Sequence, residues 1–160
     1  MIEEKTADLM VSFFEKLLEF YQKFLEFEKE KQGYLKNEKL NRLDKCMKME
    51  QAYVLRARGL EQERMKLMQQ TPNPKARFRE LISQFPESRR DQMQKMFQEL
   101  SSVLTELKKV NSENNLLAER KLRLASVAIS KLSNQPELQK IYSKKIQSGS
   151  PPPAFLSKKI

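Results

Sequence analysis

The chain has 160 residues with a formal net charge of +10, and it contains no histidine, one cysteine and three glycines. This length fits one domain, with or without a tail. One cysteine excludes an intrachain disulfide, and the lack of histidine removes the commonest zinc ligand and the commonest general base. No glycine-rich phosphate loop, serine elbow or Cys-x-x-Cys pair occurs. We therefore expect a protein that is not an enzyme and needs no cofactor.

The sequence contains no run of eighteen apolar residues, and its first residues include Glu3, Glu4 and Asp8 in place of a basic leader. These features predict a cytoplasmic protein without stable membrane insertion. The charge is unevenly distributed, with a net of −4 over residues 1–30 and +8 over residues 120–160. A basic end of this kind fits nucleic acid, anionic lipid or an acidic protein surface, and charge alone does not choose among them.

Good helix formers dominate the sequence, and no sustained alternation of apolar and polar residues occurs, so we expect an all-α fold. A first helix is predicted from about Lys5 to Leu35, because its apolar residues recur at three- and four-residue steps. Gly33 and Asn37 indicate a break and the N-cap of a second helix. The second helix carries a seven-residue apolar repeat, typical of coiled-coil packing, at Cys46, Tyr53, Leu60 and Leu67.

Prolines divide the rest of the chain. Pro72 and Pro74 end the second helix, and Pro74 then begins a short helix to Phe85 with Asn73 as its cap. After Pro86 the apolar pattern predicts a helix of about 45 residues. The expected fold is an antiparallel helical hairpin plus a short helix and one long C-terminal helix, forming an elongated coiled-coil-like bundle over residues 1–134. Residues 135–160 are expected to be a basic, proline-containing flexible tail.

The segment VNSENNLL, residues 110–117, places two asparagines in the apolar stripe of the long helix. At 100° per residue, Asn111 and Asn114 both point into the stripe. Burying an amide without a partner costs about 1–3 kcal/mol, so the pair needs polar partners or water. Two interpretations stay open here: a register device within the bundle, or amides held for a partner's backbone.

Beyond these amides the centre of the stripe becomes small, at Ala118, Ala125 and Ala128. Larger residues stand on either side of this alanine floor. We call the resulting surface the C-terminal groove; its walls are Leu117 and Leu124 on one side and Leu122 and Ile129 on the other. Such a floor allows another helix to approach closely. The occupant is either the chain's own first helix or a partner's amphipathic segment.

Two stretches carry a resemblance to a known family. FLEFEKEKQGYLKNEKLNRLDKCMKMEQAYVLRARGLEQERMKLM resembles the N-terminal half of the FlgN family of flagellar export chaperones. VNSENNLLAERKLRLASVAISKL is similar to that family's C-terminal helix, in which asparagine, two residues, asparagine and then leucine recur. Asn111, Asn114 and Leu117 occupy this pattern, and the resemblance covers about residues 9–132.

The resemblance implies a cytosolic chaperone of a flagellar type III export system that uses no ATP. Its clients would be C-terminal segments of the hook-filament junction proteins FlgK and FlgL, and it would deliver them to the export gate. Tyr142 in QKIYSKKI matches a tyrosine of the family's C-terminal region, which engages the gate. The implied client surface agrees with the groove at Leu117, Leu122, Leu124 and Ile129.

Two other classes compete with this interpretation. The broad apolar face of the first helix also suits a structural coiled-coil protein that binds only itself, and it leaves a homodimer open. Nucleic-acid binding would rest on the basic end of the chain. The aromatic residues, however, lie mostly in the acidic first helix, and no helix interleaves basic and aromatic residues for stacking, so we expect no nucleic-acid partner.

Overall fold

The structure is a computed structural model, and it describes residues 1–132. This part of the chain forms four helices and no strand: α1 (Glu4–Lys36), α2 (Leu40–Met68), α3 (Phe78–Ile82) and α4 (Glu87–Lys131). The prediction of an all-α bundle with a long C-terminal helix is confirmed, and α4 has the expected length, at 45 residues. The predicted tail, residues 135–160, lies outside the described residues.

The described residues pack as two compact units, and α1, α2 and α4 each contribute to both. Unit 1 contains residues 1–26 and 52–107, and unit 2 contains residues 27–51 and 108–132. In unit 1, Lys16 pairs with Glu63 and Phe24 stacks on the earlier α2 residue Tyr53, so α1 and α2 run antiparallel as predicted. Arg89 donates to Asp8, and the later α4 residue Gln92 donates to the later α1 residue Glu15. In this unit α4 therefore runs parallel to α1.

Unit 1 holds a large apolar core. Residues from all four helices meet in it, and the α1 aromatics Phe13 and Phe14 stack edge to face with 5.4 Å between ring centroids. Phe14 also contacts Phe78 of α3 in an edge-to-face arrangement. This explains the width of the apolar face on α1, because one flank packs on α2 while the other packs on α3 and α4.

The turn between α1 and α2 differs from the prediction at Gly33. Gly33 lies inside α1, which continues to Lys36, and the turn consists of residues 37–39. Glu38 carries the positive φ of 55° that a glycine or asparagine would more readily adopt. Asn37 therefore does not cap α2, which begins three residues later at Leu40. The break predicted at Gly33 is therefore wrong, because a glycine within an amphipathic pattern can remain helical.

The helix predicted from Pro74 also begins later, at Phe78, with Arg77 at its N-cap position. The Asn73 side chain accepts a hydrogen bond from the Lys75 amide at 3.2 Å, and the Asn73 carbonyl accepts one from Ala76. These local bonds form a turn that competes with helix. Pro86 does separate α3 from α4, as predicted, since α4 begins at the next residue.

Substituting Gly33 tests this assignment. An added Cβ at Gly33 would meet no atom within 4 Å, and the residue lies in a helix, so Gly33→Ala removes only the entropic cost of glycine. We expect the free energy of unfolding, measured in urea, to rise by about 0.5–1 kcal/mol.

Gly59 of α2 provides a matched control, because its Cβ position is equally open. Gly59→Ala should raise stability by a similar amount. A loss of stability in Gly33→Ala alone would mean that position 33 needs a backbone conformation that alanine cannot adopt.

Candidate functional site

The amides and the C-terminal groove belong to unit 2, where α4 packs beside the end of the α1–α2 hairpin. Asn114 of α4 reaches Glu28 of α1, and seven residues further on Lys121 reaches Glu38 in the hairpin turn. Beside the Asn114 contact, Gln32 donates to Glu113 at 2.7 Å. These contacts place the end of the hairpin near Lys121.

Asn114 is the best-anchored of the predicted site residues. Its side chain is 1% exposed, and its Nδ2 donates to the Glu28 carbonyl at 3.0 Å and to Glu28 Oε2 at 2.9 Å. One amide thus joins α4 to both the backbone and the side chain of α1. This is the interaction expected of a register device, because sliding α4 along α1 would leave the Asn114 amide donor buried without a partner.

Glu28 belongs to a buried ionic cluster formed by α1 and α2. Lys31 Nζ lies 2.8 Å from Glu50 Oε2 and 4.0 Å from Glu28 Oε2, and all three side chains are nearly inaccessible. Two carboxyl groups therefore share one ammonium group. When both are ionised, the cluster carries an uncompensated negative charge away from water, which is costly.

Protonation of Glu28 relieves this excess charge. The pKa of Glu28 is raised to about 7, first of all by burial and also by the hydrogen bond and the repulsion from Glu50, while Lys31 and Asn114 act to lower it. Glu28 Oε1 accepts no hydrogen bond in the described chain. A proton on Glu28 supplies a donor to the Glu50 carboxylate and leaves the cluster neutral overall.

Asn111 differs from Asn114 although both were predicted to face the stripe. Asn111 is half-buried, and its Oδ1 lacks a hydrogen-bond partner among the described residues. Asn114 Oδ1 also lacks a partner there, so the two amides differ in their donors: Asn114 Nδ2 is engaged with α1, whereas the Asn111 side chain forms no hydrogen bond to α1 within residues 1–132.

The groove residues are more accessible than the stripe that precedes them. Val110 and Asn114 are buried, whereas no residue from Asn115 to Leu132 is. Leu124 is 66% exposed and Leu122 41% exposed, while the other two wall residues, Leu117 and Ile129, are half-buried. On the alanine floor, Ala118 and Ala125 are half-buried and Ala128 is exposed.

The cause of this exposure is the position of the hairpin end. α4 continues to Lys131, ten residues past its contact with Glu38, which corresponds to roughly 15 Å of helix. Within residues 1–132, no hydrogen bond or ion pair joins this last part of α4 to α1 or α2. We call residues 122–131 the α4 extension, and it carries Leu122, Leu124 and Ile129 of the groove.

The ionic cluster of Glu28, Lys31 and Glu50 is not among the predictions made from the helical pattern of the sequence. A signal was present, because Phe24, Glu28, Lys31 and Leu35 follow one another at helical spacing on the apolar face of α1. Two charged residues in such a row require partners. Tyr142, the remaining predicted site residue, lies outside the described residues, so its environment is not part of this site.

No helix within residues 1–132 combines the length and apolar character needed to cross a bilayer.

Burial raises the pKa of the Cys46 thiol, which lies one turn before Glu50 and behaves as a small apolar residue of α2.

The fold and site define a class: an α-helical bundle whose last helix bears accessible apolar residues preceded by one anchored amide. Comparison with protein-family models gives a match over residues 1–149 to the family described as FlgN protein. This match spans most of the chain, so the protein belongs to the FlgN family of flagellar export chaperones. Searches of the curated proteins and of the solved structures gave no match.

The pH dependence of stability tests the ionic cluster. The unfolded chain has a glutamate pKa near 4.5 and the folded chain one of about 7 at Glu28. The folded state therefore binds this proton more tightly, and the resulting stabilisation is complete below the lower value and lost as the pH rises through the higher one. We expect the free energy of unfolding in urea to fall by about 1 kcal/mol per pH unit within this window.

Glu28→Gln should flatten this fall, because the glutamine amide accepts from Asn114 and donates to Glu50 without titrating. Glu26→Gln, which changes an exposed glutamate two residues away, should keep the wild-type slope. Equal slopes in all three proteins would show that Glu28 is already ionised at neutral pH.

The two amides give a second, paired prediction. Asn114→Leu removes the donor to the Glu28 carbonyl and carboxylate, and we expect it to lower the free energy of unfolding by about 1–3 kcal/mol. Asn111→Leu removes an amide oxygen without a partner, so we expect stability to stay unchanged or to rise by up to about 1 kcal/mol. Similar losses in urea denaturation for both variants would contradict this distinction.

Proposed function

We propose that this protein is a cytoplasmic chaperone that binds C-terminal amphipathic segments of FlgK and FlgL and delivers them to the flagellar type III export gate. The proposal refines the export role that membership in the FlgN family implies. The observation that carries it is the accessible apolar surface of the α4 extension, with Leu122 and Leu124 exposed on a helix that continues past the hairpin.

The groove suits a helical client with an apolar face. Small residues on the floor allow close approach of a second backbone, while Leu117, Leu122, Leu124 and Ile129 offer side chains to bury between those of the client. Each aliphatic side chain contributes roughly 1.5–3 kcal/mol when fully buried. Four of them contribute at most roughly 6–12 kcal/mol to binding, before the cost of association is subtracted.

The amides complete the proposed binding surface at its upstream end. Asn111 has an unpaired oxygen that suits a backbone N–H group in the first turn of the client helix. Asn114 takes part by holding α4 in register with α1, which determines where the groove begins. In this proposal the client's apolar face stays covered by the groove, which prevents its self-association before export.

The proposal also includes the C-terminal region. Tyr142 and its neighbours are proposed to engage the export gate, as the family resemblance implies, while residues before 132 hold the client. Because the client surface and the gate segment lie on different parts of the chain, one molecule can contact both partners at once. A homodimer is compatible with this arrangement, since the α4 extension has exposed apolar residues on more than one side.

Leu124→Asp tests the client surface. A carboxylate at this position places a charge where the client's apolar face must lie, so we expect at least a tenfold weaker affinity for the C-terminal segments of FlgK and FlgL, or about 1.4 kcal/mol. Calorimetric titration gives the affinity, and circular dichroism checks that helicity and the melting temperature stay near wild type, because Leu124 is exposed.

Leu55→Asp is the matched control, since Leu55 of α2 is 70% exposed and far from the groove in sequence. It should bind both segments as tightly as the wild type. Collapse of the bundle in Leu124→Asp would assign Leu124 to the core. If neither segment binds the wild type at tens of micromolar, while light scattering shows stable self-association, the structural coiled-coil function replaces the chaperone function.

A further inference from the structure

The two walls of the C-terminal groove differ in charge. Along the first wall, Leu117, Arg120, Leu124 and Lys131 follow one another at three-, four- and seven-residue steps, so two cations stand among its apolar side chains. Along the second wall the corresponding positions are neutral or acidic: Asn115, Glu119, Leu122, Ser126 and Ile129. The groove therefore has one basic edge and one edge without cations.

The cations of the basic edge are not neutralised within the described chain. Arg120 and Lys131 form no ion pair among residues 1–132, and both are exposed. Some other cations of the described chain do form ion pairs, such as Lys16 with Glu63, Arg89 with Asp8 and Lys121 with Glu38. The charges of Arg120 and Lys131 therefore remain available to the carboxylates of a partner.

The exposed apolar residues lie beside these cations. Leu124 is a neighbour of Arg120 at a four-residue step, and Leu116 is a neighbour at the same step on the other side. Single exposed leucines are ordinary, whereas exposed leucines alternating with unpaired cations along one edge make a surface that recognises both apolar and negative groups.

We infer that the client helix carries carboxylates along one edge of its apolar face, and that this acidic edge lies against the Leu117–Leu124 wall. This inference rests on the proposed function of the groove. Arg120 and Lys131 are eleven residues apart, roughly 16 Å along the helix, so the client's carboxylates are spaced by about three helical turns. Because only one edge of the groove is basic, the charge also fixes the direction in which the client helix lies.

Charge reversal at Arg120 tests this inference. Arg120→Glu replaces the attraction with repulsion at the basic edge, and we expect the affinity for the FlgK and FlgL C-terminal segments to weaken about fivefold or more at 150 mM salt. Arg123→Glu is the matched control, because Arg123 is an exposed arginine three residues away that points to the opposite side of α4 from the groove floor. Arg123→Glu should weaken binding less than twofold, because salt at this concentration screens a charge on the far side of α4 from the client.

The client supplies the reciprocal measurement. Segments in which the aspartates and glutamates are replaced by their amides should bind the wild type more weakly and should no longer distinguish it from Arg120→Glu. Equal effects of Arg120→Glu and Arg123→Glu, combined with a clear loss in Leu124→Asp, would overturn the acidic edge while leaving the proposed function intact. Failure of either segment to bind the wild type would overturn both.

Discussion

The hydrogen bonds from Asn114 to Glu28 fix the part of the structure on which the candidate site depends. Helices that pack through leucine and alanine alone can shift by a turn with little loss, since apolar contacts are not directional. An amide bonded to both a carbonyl and a carboxylate has no equivalent partner one turn away. This contact therefore sets how far α4 continues beyond the hairpin, and so how much of its apolar face is left accessible.

Burying the polar groups around this contact costs folding free energy, and these buried groups lie in unit 2. Unit 1 buries aromatic and aliphatic residues in one cluster, whereas unit 2 buries Glu28, Lys31, Glu50 and Asn114 among fewer apolar side chains. Replacing such polar groups with well-packed apolar ones often stabilises a protein. A polar cluster at this position makes unit 2 less stable than an apolar core would, but it defines the register of the helices. It also makes the stability of unit 2 sensitive to pH near neutrality.

The sequence predicted the long-range organisation well because that organisation follows from helical periodicity and proline. The 45 residues of α4 and the inward orientation of Asn114 both came from counting at 100° per residue. The errors at Gly33 and Pro74 have a common origin: each is a residue that can end or begin a helix, and tertiary packing decides whether it does. The partner of Asn114 was not predictable from the stripe alone, because periodicity places a side chain on a face without stating which residue opposes it.

The α4 extension combines apolar exposure with a lack of tertiary support, and these two properties act together. Ten residues are fewer than an isolated helix needs for stability in water, so this part of α4 relies on the helix behind it and on whatever covers its apolar face. The contacts of Asn114 and Lys121 hold the part of α4 that precedes the extension. Covering the apolar face of the extension is left to a partner. A client helix laid in the groove would then stabilise the surface that binds it. In the proposed function, client binding and stabilisation of the last turns of α4 would be coupled, which lowers the affinity below what the contact area alone would give.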